Sequence, residues 1–514
     1  MRDSFDLLVI GGGINGCGIA RDAAGRGLSV LLAERGDLAG ATSSASSKLI
    51  HGGLRYLEQY EFRLVREALA EREVMLRIAP HIVWPLRFVL PHRPAMRPRW
   101  MIRAGLFLYD HLARRVSLPG AERLDPHRHP WGAPLSPDIG AAFAYSDCWV
   151  EDSRLVVLNA RDAARRGAEV VVRTGFTGAV RDAAGWRCTL RAADGRERRV
   201  HVRALVNAAG PWVLQAQAAT GTRAPDRVRL VRGSHIVLPA LYQGAQAYIL
   251  QNDDGRVVFV IPYEGRFSLV GTTDVPHEDD PATARCTPEE ALYLCTAVGR
   301  QFRRAPRPEE IVWSYSGVRP LHDDGAANPS AVTRDYVLKL DTTGGAPLLS
   351  VFGGKITTYR RLAEEALAKL GPALGTAAPA WTATAPLPGG DLGGLGLSGF
   401  EAEAAQRWPW LRPARLQRLV RAYGSEIGKL LEGATSPADL GEDLGCGLTE
   451  RELDWLMREE WARSAEDVLW RRSKLGLRFS AQQRTVLEER MAKLVSSLGA
   501  SPGVPAGYAN APPR

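Results

Sequence analysis

The sequence predicts an α/β chain in three parts: a parallel α/β domain, a mixed β-sheet domain inserted into it, and an α-helical C-terminal domain. Three patterns carry that reading. Phe5–Glu34 alternates strand, glycine turn, helix and strand. Apolar strands return through the middle of the chain and end in a second glycine turn at Gly353 and Gly354. Beyond an alanine-, proline- and glycine-rich stretch at 371–399, helical periodicity takes over.

The first unit is the most specific. Phe5–Ile10 is a short apolar run with no charge after Asp6, as a parallel strand covered on both faces requires. Gly11, Gly13 and Gly16 then give G-x-G-x-x-G where strand meets helix. They serve a tight turn, a close approach of backbone to pyrophosphate, and close packing of helix on strand. The pyrophosphate sits on free N–H groups at the helix N-terminus, where aligned peptide dipoles favour an anion. Ser29–Ala33 is the second strand, and Glu34 follows about 20 residues after the turn, where a carboxylate accepts hydrogen bonds from ribose hydroxyls. The unit reads as a Rossmann-like dinucleotide site and does not choose between NAD and FAD.

A chain of 514 residues exceeds one hydrophobic core, so roughly two or three domains are expected. Apolar content of 45% and charged content of 24% are those of a globular protein. No apolar run approaches the roughly 20 residues of a membrane-spanning helix. The N-terminus opens directly into a strand without a signal-peptide pattern, which makes the cytoplasm the default expectation. Cys17, Cys148, Cys188, Cys286, Cys295 and Cys446 are scattered without a C-x-x-C pair, so neither a disulfide framework nor a metal site is expected. A net charge of +9 and a pI near 9.4 ask for an anionic partner: nucleic acid, anionic lipid and phosphorylated metabolite all qualify.

Taken in order, the next stretch is a hydroxyl-rich turn, Thr42, Ser43, Ser44, Ser46 and Ser47, leading to Lys48, His51, Gly52 and Gly53. Glu61–Ile78 reads as a solvent-facing amphipathic helix. Pro80, Pro85, Pro91, Pro94 and Pro98 then break the chain repeatedly. Within 92–115 a helix carries Trp100, Met101, Phe107 and Leu108 flanked by Arg97, Arg99, Arg103, Arg114 and Arg115. Such a helix either lies in an anionic membrane interface or packs on the protein's own core. A helix at Ser153–Gly167 and a β-meander with turns at Ala184–Gly185 and Asp194–Gly195 follow. Leu205–Trp212 is a strand ending in a turn at Gly210, and Val228–Pro239 with Tyr248–Pro262 announces a second sheet. Leu348–Arg360 gives strand, double glycine and a helix from Thr357 onward, a second helix N-terminus presenting its positive dipole end. In the helical end, Glu442, Asp443, Asp454, Arg471 and Arg472 read as surface salt bridges, and Ser501–Arg514 as a disordered tail.

The glycine unit followed by T-S-x-x-S-S-K-L-I-H-G-G-L-R-Y-L, and then by YSDCWVED, VRGSHIV, GTTD, WSYSGVRPL, SVFGGKITTYR and LWRRSKLGL, resembles the FAD-dependent, respiratory glycerol-3-phosphate dehydrogenases over nearly the whole chain. The resemblance implies an FAD-binding Rossmann-like domain from 1–80, 151–225 and 346–375. It also implies a substrate- and membrane-facing insertion at 81–150, a mainly β-sheet substrate domain at 226–345, a linker at 376–399 and an α-helical C-terminal domain at 400–500. The implied activity is oxidation of sn-glycerol 3-phosphate to dihydroxyacetone phosphate by hydride transfer to FAD, with electrons passed to a membrane quinone. The implied location is the cytoplasmic face of the plasma membrane, peripheral or monotopic, on an anionic surface. A soluble fraction and a homodimer are compatible with it, and no nucleic-acid partner is expected.

That reaction needs a phosphate clamp, a base for the hydroxyl proton and a hydride acceptor, of which FAD supplies only the last. Arg55, Arg319 and Lys355 are the cations placed by motif, arginine suiting bidentate phosphate contact and lysine a point charge. Tyr56 and Thr273 add hydroxyls. His235 is the expected base, with Arg319 polarising the developing alkoxide; His51 competes for the base's role. Cofactor contacts are expected from Gly11, Gly13, Gly16, Glu34, Thr42, Ser43, Ser47, Lys48, His51, Gly52, Gly210, Gly353, Gly354, Lys355 and Thr357. Two other readings stay open: an oxidase of the same architecture that uses O₂, and an FAD-containing RNA-binding protein.

Overall fold

The computed structural model describes residues 2–93, 96–113, 116–182, 184–222, 227–323 and 335–497. Five apolar strands form the parallel centre of an eight-stranded sheet, in the order Leu348–Phe352, Glu197–Asn207, Ser4–Ile10, Val30–Ala33 and Glu169–Val171. Their period-two alternation feeds two cores. Leu7 and Val9 pack in a layer with residues of the helices Ile14–Gly25, Asp152–Arg165 and Tyr359–Leu374. Leu8 and Ile10 face the other way, onto Trp186 and Leu190 of the predicted meander.

The second sheet has ten strands and is mixed. Arg227–Pro239, Trp313–Asp323, Phe267–Gly271, Val257–Tyr263 and Ala247–Gln251 come from the middle of the chain, and Val83–His92 and Ala141–Val150 from the earlier insertion. The segment expected as a separate insertion at 81–150 therefore completes this sheet. Pro85 and Pro91 do not break their strand. Val83–His92 pairs along its whole length with Ala141–Val150, but on its other side only Phe88 and Val89 pair, with Ala247 and Tyr248, so each proline faces a flank without a ladder. Conversely, Val337–Asp341, expected with the substrate sheet, pairs antiparallel with Leu348–Phe352 at the edge of the first sheet.

The helix Phe62–Ile78 is less exposed than its charge pattern suggested, because its acid and base find buried partners. Arg72 donates to Asp147 at 2.8 Å and Glu71 accepts from Arg360 at 2.8 Å. The stretch expected as a linker is a packed strap: Trp381 donates from its indole to the Asp22 carbonyl at 3.2 Å, and buried Leu387 donates to the Ile78 carbonyl at 2.8 Å. Beyond it the helical domain closes around its own core of Trp408, Leu419, Val420, Leu453 and Leu456. Arg154 and Arg161 of the helix Asp152–Arg165 dock that domain through Glu460 and Glu426. Ser501–Arg514 lies outside the described residues.

Candidate active site

A cleft of about 1350 Å³ is lined by residues of both sheets, among them Glu34, the two glycine turns, Lys355, Arg319 and His235. Its floor follows from the first motif. Gly11 has a φ of +109°, and a Cβ there would meet the Ala208 carbonyl oxygen at 2.5 Å. A Cβ on Gly16 would meet the Gly11 carbonyl oxygen at 1.9 Å, so helix and strand approach as closely as the motif requires. Gly13 faces only the Ser43 hydroxyl, which accepts from the Ile14 N–H at 3.0 Å. The half-buried Glu34 carboxylate accepts from the N–H groups of Gly12 at 2.6 Å and Gly36 at 2.7 Å. Burial pushes its pKa up against those bonds.

Asn15, which the sequence reading did not single out, joins the two glycine turns. Its side-chain N–H donates to the Gly353 carbonyl at 3.1 Å, while its Oδ1 is buried without a protein partner at the cleft wall. The signal was its place one residue before Gly16, inside the motif itself. Thr357 at the second helix N-terminus shares hydrogen bonds with the His51 backbone at 3.3 and 3.4 Å. Thr42 donates to the Val318 carbonyl at 2.7 Å, tying the serine-rich turn to the second sheet. His51, Ser47, Gly210, Gly353, Gly354 and Thr357 all line the cleft.

At the reacting end the register of two strands sets the geometry. His235 pairs with Tyr315 across the ladder, and their rings stack at 4.8 Å and 12°. His235 Nε2 shares a hydrogen bond with the Ser47 hydroxyl at 2.8 Å. Burial, reinforced by Lys48 and Arg319, pushes the His235 pKa down to about 3, so the imidazole is neutral at neutral pH. Burial likewise lowers the pKa of His51. Arg319 donates to the Thr273 carbonyl at 3.0 Å and to Asp274 at 3.2 Å, which fixes its fork at the cleft wall. Lys355 stands 3.7 Å from the centre of the Tyr56 ring. Arg55 lies on the short helical turn Leu54–Gln59, and its side chain lies outside the described residues.

Three expected site residues face elsewhere. Lys48 is fully buried, with its ammonium on Asp152 at 2.8 Å and on the Ser44 carbonyl; it braces the serine turn from behind. Gly52 packs against Leu69 and Tyr109, and its N–H donates to the Tyr109 hydroxyl at 2.9 Å. Thr273 gives its hydroxyl to Glu290 at 2.6 Å and accepts from the Ser234 N–H at 2.9 Å, so its neighbour Thr272 is the one that lines the cleft.

A long cleft with two glycine turns, a wall acid at the end of the second strand and an orphaned amide oxygen fits an extended dinucleotide, and the fold with this site defines a flavin-dependent oxidoreductase. The model of the FAD dependent oxidoreductase family matches residues 6–360, and that of the C-terminal domain of alpha-glycerophosphate oxidase matches 380–502. A glycerol-3-phosphate dehydrogenase from Pseudomonas aeruginosa is 54% identical, over 95% of both chains. The aerobic glycerol-3-phosphate dehydrogenase of Escherichia coli is 52% identical over 94% of this chain and 96% of its own length, and a D-erythritol 1-phosphate dehydrogenase of Brucella abortus is 50% identical over 95% and 97%. A solved glycerol-3-phosphate dehydrogenase from Bacillus halodurans, complexed with FAD, superposes with a TM-score of 0.78 at 25% identity and covers 96% of this chain and 91% of its own. The chain belongs to the FAD-dependent glycerol-3-phosphate dehydrogenase family.

Proposed function

We propose that this protein oxidises sn-glycerol 3-phosphate to dihydroxyacetone phosphate and passes the electrons to a membrane quinone. The observation that carries the substrate assignment is that the cations Arg319 and Lys355 line the same cleft as the neutral imidazole of His235. Gly11, Gly13, Asn15, Glu34, Ser43, Gly353 and Thr357 would hold FAD, which supplies the hydride acceptor when bound. Arg319 and Lys355, with Tyr56 and Thr272, hold the phosphate end and turn the secondary hydroxyl toward His235. His235 accepts the hydroxyl proton by way of the Ser47 hydroxyl, which lines the cleft and is bonded to His235 Nε2. Arg319 stabilises the charge that develops on the oxygen.

The relative acting on D-erythritol 1-phosphate supports a second substrate reading, since a four-carbon polyol phosphate presents the same phosphate and a similar secondary alcohol. Anaerobic addition of glycerol 3-phosphate to the yellow protein is expected to bleach its flavin band, and a quinone analogue to restore it. Faster bleaching by erythritol 1-phosphate at equal concentration would overturn the choice of substrate. Stoichiometric peroxide with O₂ as acceptor would overturn the choice of quinone.

The helix Arg99–His111 supports a membrane surface as the place of reaction. Leu106 and Tyr109 are buried, while Trp100 is 70% and Phe107 64% exposed, with Arg99 and Arg103 beside them. Among the described residues no helix is long and apolar enough to cross a membrane. An aromatic and basic face of this kind inserts among anionic headgroups. Phe107→Ser is expected to reduce sedimentation with anionic vesicles; equal sedimentation with neutral vesicles would remove the electrostatic part of the claim.

A further inference from the structure

The wall of the cofactor cleft is completed by the far end of the chain. Glu466, Trp470, Arg471 and Lys474 line the same cleft as Gly11 and Glu34. They stand on or beside the six-residue π-helix Asp467–Arg472, a rare backbone form that concentrates at functional sites. Arg471 and Arg472, expected as surface salt bridges, both close instead on Asp37, a buried acid three residues after Glu34. Arg471 Nε donates to it at 2.6 Å, and Arg472 donates twice at 2.8 Å, a bidentate fork. Asp467 accepts from Arg173 at 2.9 Å, and the Arg173 N–H in turn holds the Gly36 carbonyl at 2.8 Å.

Next to Arg471 on the same turn, Trp470 stacks on Trp313 at 4.1 Å and 19°. Trp313 stands 4.9 Å from Tyr315, the ring on which His235 is stacked. The turn thus joins the loop that follows Glu34 to the strand Trp313–Asp323. Residues that only glued two domains together would not also face the cleft, as Trp470 and Arg471 do.

We propose that the C-terminal domain is the clasp that retains the dinucleotide: FAD leaves when the turn 466–474 undocks from Asp37 and Trp313. Linkage makes the relation reciprocal, so bound FAD must hold the turn docked by the same factor that docking holds FAD. The proposal does not depend on which polyol phosphate is oxidised.

FAD release from the full-length holoenzyme is followed by the rise of free-flavin fluorescence. Arg471→Met, which leaves Asp37 paired with Arg472, is expected to speed release by about tenfold, the scale of one charge-assisted hydrogen bond. Trp470→Leu is expected to act in the same direction. On the unmutated protein, hydrogen exchange at 464–474 is expected to slow when FAD is added to the apoprotein. Release rates unchanged in both variants, or equal exchange with and without FAD, would overturn the clasp. The exchange arm requires no variant to fold.

Discussion

A base that must take a proton from an alcohol has to arrive unprotonated; burial and two neighbouring cations keep His235 unprotonated, and the same surroundings weaken it as a proton acceptor until the substrate's negative phosphate enters the cleft. Its Nδ1 has no hydrogen-bond partner and its Nε2 is engaged by Ser47, so no carboxylate raises its pKa. The expected consequence is a clean kinetic division. His235→Ala should slow flavin reduction in single-turnover mixing by about 10²- to 10⁴-fold, the range of general-base contributions, with little change in substrate affinity. His51→Ala is the control, because His51 occupies the same cleft with its backbone tied to Thr357. Reduction that is fast in His235→Ala and slow in His51→Ala would exchange their roles.

At the scale of elements, facing decides function. Thr272 and Thr273 follow the strand Phe267–Gly271, whose last residue pairs with His235. Their side chains part there, Thr272 at the cleft and Thr273 on buried Glu290, so a choice between adjacent threonines is a choice between cleft and core. Thr273→Val should leave KM unchanged and cost about 1–3 kcal/mol of stability, since it strips a hydroxyl partner from buried Glu290 and from the Ser234 N–H. Thr272→Val should do the reverse, raising KM at unchanged thermal midpoint; parallel kinetic and melting measurements decide. The glycine turn gives a sharper case. Gly16→Ala places a methyl group 1.9 Å from the Gly11 carbonyl oxygen, and the purified protein should emerge colourless, with no flavin band. A yellow Gly16→Ala protein would refute the close-packing argument.

These cases mark what the sequence could disclose. The turn built by Gly11, Gly13 and Gly16 with Glu34 beside it was legible because it follows from local spacing alone, and so was the second glycine turn ahead of Thr357. Lys48, Gly52 and Thr273 sit inside correctly located motifs but face away, because which side of a short irregular segment meets the cofactor is set by Asp152, Tyr109 and Glu290, residues distant in sequence. The strand at Val83–His92 was hidden by prolines whose missing N–H groups fall on unpaired flanks. Arg471 and Arg472 were hidden most completely: their partner, Asp37, lies near the opposite end of the chain, and nothing local distinguishes them from solvated charges.

For the whole molecule, the join between the flavin domain and the C-terminal domain is written in buried arginine–carboxylate pairs, and its acid response follows from them. Arg154 meets Glu460, Arg161 and Arg165 meet Glu426, and Arg173 meets Asp467. Burial alone would raise the Glu426 carboxyl, but Arg161 and Arg165 outweigh it and hold it down to about 2; burial is likewise outweighed at Asp467, where Arg472 and Arg173 hold it to about 2. A carboxyl depressed in the folded state contributes stability that is complete above its unfolded pKa and is lost as pH falls toward the folded value. For Glu426 the contribution is on the order of 3 kcal/mol. Glu426→Gln removes that titration, so the gap in thermal midpoint between wild type and variant should be constant from neutral pH down to about 5 and then narrow steadily toward about 2. Exposed pairs would lose their effect in high salt, whereas this gap should persist at high ionic strength because the partners are buried. A gap that stays fixed at acid pH, or that salt abolishes, would mean that the domains are held by packing and that Glu426 is a bystander.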